Sequence, residues 1–393
     1  MMTRRCGGLL LAALLASLVS VSAQDAPPPD NVDSLFDTPP TDTVVVDSGI
    51  DYRSLYDTEE KIKTSGYFKA MGGAAVGYVR WPTLDDLGNG FASSIGAYAE
   101  AVAAFDMRPS SVAHIRGEFS TSFTPATSPF SWDNFAVDEL YCDYTVQDTV
   151  FVRIGQFLST WGQGRLFTPG DLLSDSADGF SMRLSMPTVL NGISAYAFGS
   201  GHVESYGDLS YAAKTDAIVL DTFLSAALRY RYADGYKGLV SIKKVAWKTD
   251  LFIDMTGNYQ QDLGYYEGVA GFFREWDDLK LYGEYYLKGD EHGLTDQQFG
   301  VAIGQKNIAG TPIDVGIRWL HSIADGSGTV LAALSWNPWK YVTASIGLPY
   351  MYGTIGSYYG LISAVTNDED IQVQSLDGYR FGLIGSLLLK VPF

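Results

Sequence analysis

The chain has 393 residues, a formal net charge of -18, and a composition of 46% hydrophobic and 13% aromatic residues with 42 glycines. The acidic balance argues against a nucleic acid as partner. No stretch contains eighteen consecutive apolar residues, which argues against membrane-spanning helices. Abundant Tyr, Trp and Gly are instead typical of many tilted, closely packed strands with aromatic girdles at membrane interfaces.

The first 23 residues have the form of a secretory signal peptide. Arg4 and Arg5 precede an apolar run over 9–21, and small residues follow up to Ala23. This run is shorter than the roughly twenty residues that a membrane-spanning helix needs. We therefore expect cleavage after Ala23, which leaves Cys142 without a cysteine partner in the same chain.

Residues 24–62 form a second segment with a different composition. They contain two proline runs, ten Asp or Glu residues and two cations, a balance that favours disorder. The pentapeptide S-L-F-D-T at 34–38 recurs as S-L-Y-D-T at 54–58. Two interpretations stay open, a duplicated linker and a pair of short motifs that dock on a periplasmic partner or in the mouth of a barrel.

From residue 63 to the C-terminus, alternation of apolar and polar residues predicts β-strands. Between 113 and 123, Ile115 and Phe119 fall on one face, and Arg116 and Glu118 fall on the other. The last fifteen residues alternate in the same way and end in Phe393. This ending resembles the closing strand of bacterial outer-membrane barrels, which the barrel-insertion machinery recognises.

Many such strands, each with an apolar and a charged face, need two different solvents, and a barrel closed in lipid supplies both. A soluble sandwich would expose its apolar faces to water. We therefore predict an all-β fold, a transmembrane antiparallel β-barrel over 63–393 in the bacterial outer membrane. We expect about 16 strands within a range of 14–18, with both termini in the periplasm. The stretch 200–221 is expected to be a loop with local structure, and a β-bulge is considered within 239–247.

One region carries a more specific resemblance. Asp138-Glu139-Leu140-Tyr141, then Arg153-Ile154-Gly155-Gln156 and Trp161-Gly162-Gln163-Gly164, is similar to a stretch of phosphate-selective porins and related porin-like families, as is the loop 167–173. The Lys-rich anion ladder of the phosphate-selective type has no counterpart here. The acidic leader with its repeat is similar to leaders of spirochaete outer-membrane proteins. These resemblances imply a pore or transporter and do not identify its solute.

Strand parity predicts which charges face the lumen. Ten inward cations and seven inward anions suggest a mildly cationic interior that favours anionic solutes. The alternative is that these charges pair across strands and only stabilise the wall. The long loop Trp161 to Asp178 is the expected constriction, with Arg165, Asp171 and Asp175 facing the pore. The candidate solute-binding residues are Arg116, Arg153, Arg165, Arg229, Arg231, Lys280 and Arg318.

No catalytic or cofactor-binding pattern is present. The four histidines, His114, His202, His292 and His321, include no pair at metal-ligand spacing. His114 is predicted to face the lumen, and His321 shares a face with Trp319 at the membrane interface. We expect no enzymatic activity, no cofactor and no metal.

The sequence thus predicts an outer-membrane porin for the diffusion of small hydrophilic solutes, with membrane lipid and the insertion machinery as partners. The alternatives are a transporter of hydrophobic compounds plugged by 24–62, as in the fatty-acid transporter family, and a closed structural or adhesive barrel. A homotrimer stays open, because nothing in the sequence marks an interface.

Overall fold

The structure is a computed structural model that describes residues 62–78, 91–123, 135–173, 179–187, 191–199, 206–260, 263–354, 357–359 and 381–392. The predicted signal peptide, the acidic segment up to residue 61, Asp175 and Phe393 lie outside the described residues.

The described residues form eighteen strands. The first nine are β1 (Ile62–Tyr78), β2 (Phe91–Ser110), β3 (Ala113–Phe123), β4 (Phe135–Val146), β5 (Val150–Gln156), β6 (Ser181–Pro187), β7 (Asn191–Gly199), β8 (Leu209–Val219) and β9 (Thr222–Arg231). The others are β10 (Gly235–Ala246), β11 (Thr249–Gln260), β12 (Leu263–Trp276), β13 (Leu279–Asp290), β14 (Gly293–Gln305), β15 (Ile313–Ser322), β16 (Gly328–Trp339), β17 (Val342–Tyr352) and β18 (Phe381–Pro392). Short 3-10 turns lie at Tyr206–Asp208 and Ile308–Gly310.

Every strand pairs antiparallel with the next one in the chain, and the last strand pairs with the first. In the closing pair, Lys69 of β1 lies opposite Lys390 of β18, and on its other side Lys69 lies opposite Glu100 of β2. The sheet therefore closes on itself and leaves no free edge. The predicted all-β antiparallel barrel is confirmed, but the expected number of sixteen strands is wrong.

The undercount has a local cause in β8, which occupies the stretch expected to be a loop. Its outward positions include Ala213 and Ala217, so its two faces differ little in hydrophobicity. Alternation is therefore a weak signal there. The bulge considered within 239–247 is also wrong, because Lys243 and Lys244 lie in unbroken register opposite Phe252 and Leu251.

The two ends of the barrel differ in the length of their connections. At one end, two residues join β8 to β9, β10 to β11, β12 to β13 and β16 to β17. Ile62 and Pro392 lie at this short-turn end, whereas β1 to β2, β5 to β6 and β17 to β18 are joined by long connections at the opposite end. Short turns face the periplasm in bacterial outer-membrane barrels, so this arrangement agrees with the expected position of both termini.

The outer face is apolar along most of its height. On β11, Leu251, Ile253 and Met255 are 41–47% exposed, and they alternate with Phe252 and Asp254, which are buried. Apolar side chains that face away from the barrel suit lipid. Among the helical segments that the structure describes, none has the length and apolar character to cross a bilayer.

Candidate functional site

The long connection between β5 and β6 folds into the barrel. Residues 157–173, here called the lumen loop, follow β5 and contact the inward faces of strands far along the chain. Phe157 and Leu173 at its two ends are fully buried. The loop predicted as a constriction therefore lies against the inner wall rather than outside the barrel.

Five consecutive backbone amides of the lumen loop donate to two carboxylates of the wall. The amides of Gln163 and Gly164 donate to Oδ2 of Asp254 on β11, at 2.5 and 3.1 Å. The amides of residues 165, 166 and 167 donate to Glu284 on β13, at 2.7, 2.9 and 2.9 Å. Successive N–H groups that converge in this way form an anion-binding nest, and hydrogen bonds to charged acceptors are the strong ones.

The position of these two carboxylates fixes the depth of the lumen loop. Asp254 and Glu284 are each the sixth residue of a twelve-residue strand. The hydroxyl of Ser241 on β10 also donates to Asp254. The carboxylate of Asp254 therefore joins the loop to both β10 and β11. The loop is therefore held against the inner wall at about half the height of the barrel.

Two glycines allow the close approach of the loop to the wall. Gly162 has a φ of 93°, and a Cβ there would lie 3.1 Å from Oδ2 of Asp254. On β14, a Cβ at Gly300 would lie 2.8 Å from side-chain atoms of Leu166 and Leu320. A side chain at Gly162 would be strained by its positive φ, and a large side chain at Gly300 would compete with Leu166 of the loop for the same space.

Apolar packing complements the hydrogen bonds. The ring of Trp161 meets Tyr196 of β7 edge-on at 5.2 Å, and the ring of Phe167 stacks on Tyr286 of β13 at 5.4 Å. One side of the lumen is therefore a packed core between loop and wall. Its buried members are Tyr141, Phe157, Trp161, Leu172, Leu173, Tyr196, Phe198, Ala212 and Leu239.

Of the predicted solute-binding residues, Arg165 lies on the lumen loop itself. Its guanidinium contacts the hydroxyl of Tyr282 and lies 4.3 Å from the ring centre of Phe273. Asp171, also predicted to face the pore, accepts hydrogen bonds from the amides of Trp161 and Leu173. Both residues therefore contribute to the shape of the loop.

Arg229 and Arg231 lie on the inward face of β9. Arg229 is 3% exposed and donates to the carbonyl oxygen of Leu172, which joins the far end of the lumen loop to the wall. Both guanidinium groups also lie within 3.5 Å of Asp234. The burial of Arg229 indicates a role in holding the loop.

Arg116 and Arg153 belong to a network of ion pairs on β2 to β5. Arg116 donates to Glu118 and Glu139, and Arg153 donates to both oxygens of Asp143. Inward-facing His114 lies between Asp143 and Asp106, with its ring nitrogens 3.2 and 2.8 Å from their oxygens. These charges pair across strands, as the alternative interpretation predicted.

Lys280 and Arg318 complete the predicted set, and both face inward. Lys280 on β13 lies 3.8 Å from Glu275 of β12. Arg318 on β15 lies between Ala302 and Leu331 on the neighbouring strands and forms no ion pair with another described residue. Of the six candidate solute-binding residues on the wall, Arg318 is therefore the one that no carboxylate of the described residues holds.

The predicted excess of cations in the lumen needs a correction. The register places further residues of both signs on the inward face, some of them on β8, which the sequence predicted to be a loop. Arg380, one of the ten predicted inward cations, lies outside the described residues. The added cations include Lys63, Arg183, Lys214, Lys237 and Lys243. The added anions are Glu100, Asp106, Asp216, Glu267, Glu275, Asp290 and Asp296. The two signs are consequently close to balance.

A second segment, 357–359, reaches inward at the long-loop end. The hydroxyl of Tyr359 donates to the side-chain oxygen of Gln298 on β14. The backbone amide of Tyr359 donates to Oγ of Ser327 at 3.0 Å. In the turn between β15 and β16, burial alone would raise the pKa of Asp325. Hydrogen bonds from the hydroxyl and amide of Ser327 and from the amide of Tyr358 outweigh it and lower the pKa to about 2.

The described residues contain no group of three His, Cys, Asp or Glu side chains that could hold a metal ion. His321 lies on the outer face beside Trp319, and both contact the hydroxyl of Tyr352 at 2.8 Å. This cluster at the long-loop end has the composition of an interfacial aromatic girdle, where the sequence placed it.

The sequence pattern does not predict how the lumen loop is anchored. Asp254 and Glu284 are two of the seven inward anions that strand parity predicts, but their partners lie 90 to 119 residues away in the chain. The inward aromatic residues Tyr196 and Phe198 were missed as well, because they alternate with Ala195 and Ala197. The one available signal was the presence of large apolar residues on the face that was expected to be wet.

No protein-family model and no curated protein matches this sequence. Solved structures do match its fold. The outer membrane protein OpdK of Pseudomonas aeruginosa is similar with a TM-score of 0.51 and 8% identity, over 84% of this chain and 99% of that one. OccD3 (OpdP) of the same organism has a TM-score of 0.51 and 9% identity, over 84% of this chain and 91% of that one. OccAB3 of Acinetobacter baumannii has a TM-score of 0.50 and 6% identity, over 84% of this chain and 99% of that one.

At these identities the likeness concerns the fold. The closed antiparallel barrel, its apolar outer face and the inward lumen loop together confirm the predicted porin-like barrel of the bacterial outer-membrane type.

Proposed function

We propose that the chain forms an outer-membrane channel through which small hydrophilic solutes diffuse past the lumen loop. The observation that carries this proposal is the seating of the loop at mid-depth by Asp254 and Glu284. A loop held there by charge-assisted hydrogen bonds would narrow the barrel at a fixed position. The similar structures include the outer membrane protein OpdK of Pseudomonas aeruginosa and OpdK with vanillate, which is compatible with this proposal.

We further propose that the passage prefers anions. Total inward charge is close to balance, so the preference depends on which charges are free. Asp254 and Glu284 are 0% and 4% exposed, and their oxygens are occupied by loop amides. Arg318 has no carboxylate partner among the described residues. A cation without such a partner attracts anionic solutes more strongly than paired charges do.

The test is the conductance of the refolded full chain in a planar bilayer under a salt gradient. Steady conductance with a reversal potential that favours anions supports both parts of the proposal. A reversal potential that favours cations refutes the anion preference and keeps the channel. An absence of conductance refutes the open channel. If conductance then appears on deletion of residues 24–62, the result supports the plugged transporter instead.

A further inference from the structure

The outer face of the barrel carries two cations whose position the channel function does not explain. Across β5–β18, every Asp and Glu of the described strands faces inward, as do eleven of the thirteen Lys and Arg residues. The two exceptions are Lys244 on β10 and Arg274 on β12. Each faces the side that lipid covers.

Both cations lie at the short-turn end, close to each other in the sheet. Lys244 lies opposite Leu251 of β11, and Leu251 lies opposite Phe272 of β12. Arg274 follows Phe272 by one position on the same face. The two cations are thus two strands apart, and Arg274 lies two residues closer to the end of the barrel than the position level with Lys244. Both side chains are long enough to extend toward the same part of the membrane interface.

Tryptophans flank the pair. Trp276 follows Arg274 on the outer face, and the guanidinium carbon lies 4.5 Å from its ring centre. Trp247 lies in the turn after β10 and is 85% exposed, beside the exposed Lys248. Tryptophan at the end of membrane strands marks the level of the lipid headgroups. The short-turn end of β10 to β13 therefore places two cations at headgroup depth.

Among the described residues, these cations have no partner of opposite charge. Neither Lys244 nor Arg274 forms an ion pair with another described residue. The guanidinium of Arg274 donates to Oγ1 of Thr249, at 3.5 Å. Asp277 and Asp278 in the next turn are exposed, and neither of them pairs with Arg274 in the structure. A cation on the lipid face is costly near the bilayer centre and tolerated near the interface, where a phosphate can neutralise it.

We propose that Lys244 and Arg274, with Trp247 and Trp276, form a binding site for the headgroup of an anionic phospholipid in the leaflet at the short-turn end. The two cations bind the phosphate, and the indole rings lie against the glycerol and upper acyl region. The absence of any acid from the outward faces of β10–β13, among the residues that the structure describes, supports an anionic occupant over a zwitterionic one. This site is independent of solute passage.

Lipids with brominated acyl chains test the site, because bromine quenches tryptophan fluorescence on contact. The refolded full chain is placed in bilayers that contain brominated phosphatidylglycerol or brominated phosphatidylcholine. The ratio of the two association constants is the readout. We expect the unmodified chain to prefer phosphatidylglycerol several-fold, and each cation removed to lower the ratio by roughly fivefold at most.

Adjacent residues supply a matched control. K244Q combined with R274Q should bring the ratio close to one, whereas K243Q should leave it unchanged, because Lys243 faces the lumen and pairs with Asp250 at 2.9 Å. R274K keeps the charge and should keep most of the preference. The heat-dependent gel shift of folded barrels verifies folding of each variant, and the single variants replace the double one if it fails to fold.

Three results would overturn the proposal. They are a ratio near one for the unmodified chain, an unchanged ratio for a folded K244Q/R274Q barrel, and an equal loss in K243Q.

Discussion

Glu284 is the residue that joins the wall and the lumen loop most directly. One carboxylate, 4% exposed, accepts the amides of three successive residues at 2.7–2.9 Å. A carboxylate offers two oxygens and no hydrogen, which suits an acceptor that faces only donors. Its charge also strengthens each bond, since hydrogen bonds to charged groups contribute about 1.5–3 kcal/mol each.

Glu284→Gln tests this anchor. The amide nitrogen of Gln cannot accept an N–H group, so we expect the loop to lose about 2 kcal/mol or more of its attachment. Open-channel current should become larger and noisier in single-channel recordings. Asp314→Asn is the matched control, because Asp314 faces inward and accepts the amide of Asn307 at a distance from the loop. Equal noise in both variants would contradict the anchoring role.

Arg318 carries the proposed anion preference at the same scale. Arg318→Gln removes a cation that has no carboxylate partner among the described residues. We expect the reversal potential under a salt gradient to move toward cation preference, with little change of stability. Lys340→Gln is the comparison, since Lys340 is exposed in the turn after β16. An unchanged reversal potential in Arg318→Gln would assign the preference, if present, to other residues.

The lumen loop and its seat act as one element. The loop contributes backbone N–H donors and aromatic rings. The wall contributes two carboxylates and, at Gly300, the absence of a side chain that leaves room for Leu166 of the loop. Both halves are needed, because the amides of an unseated loop would need water as their partner.

Gly300→Leu should unseat the loop by steric means. A Cβ at this position would meet Leu166 and Leu320 at 2.8 Å, so a leucine side chain has no space while the loop is docked. We expect hydrogen exchange of the amides of 163–167 to accelerate by at least tenfold, as loss of about 1.4 kcal/mol implies. Gly257→Leu is the control, since nothing lies within 4 Å of a Cβ there. Unchanged exchange in folded Gly300→Leu would contradict the proposed seat.

A second element, the contact between the β15–β16 turn and 357–359, depends on pH through Asp325. Its pKa of about 2 in the folded chain lies below the ordinary value near 4, so the ionised carboxylate favours the contact. The stabilisation is therefore present in full above about pH 4 and is lost as the pH falls toward 2. Exchange of the Tyr358 amide, which donates to Asp325, should accelerate over that range. Asp325→Asn should abolish this pH dependence, and a pH dependence that survives the substitution would contradict the assignment.

At the scale of the whole molecule, alternation alone predicted a closed all-β barrel, and several strands were located well from it. The strand β3 has the bounds Ala113–Phe123 that the pattern indicates, whereas β8 was missed because its alanines give the two faces little contrast. The lumen loop was recognised as a candidate constriction. Its anchors were not, because the hydrogen bonds between residues about 90 and 119 positions apart leave no local trace in the sequence.

The barrel also separates its charges by face, which explains how an acidic chain can span a membrane. Nearly all charged side chains of β5–β18 point into the lumen, where they pair across strands or hold the loop. Lys244 and Arg274 are the exceptions, since both face outward, and both lie at the short-turn end of the barrel. The two faces therefore assign solute contact to the lumen and lipid contact to the outer surface.

The most direct test of the channel is the single-channel conductance of the full chain beside a variant in which residues 160–171 are replaced by a short Gly-Ser linker. The comparison is made on barrels whose heat-dependent gel shift shows that they are folded. If the lumen loop narrows an open passage, the unmodified chain conducts steadily and the variant conducts several-fold more. Equal conductance would contradict the constriction, and no conductance in either chain would contradict the channel itself.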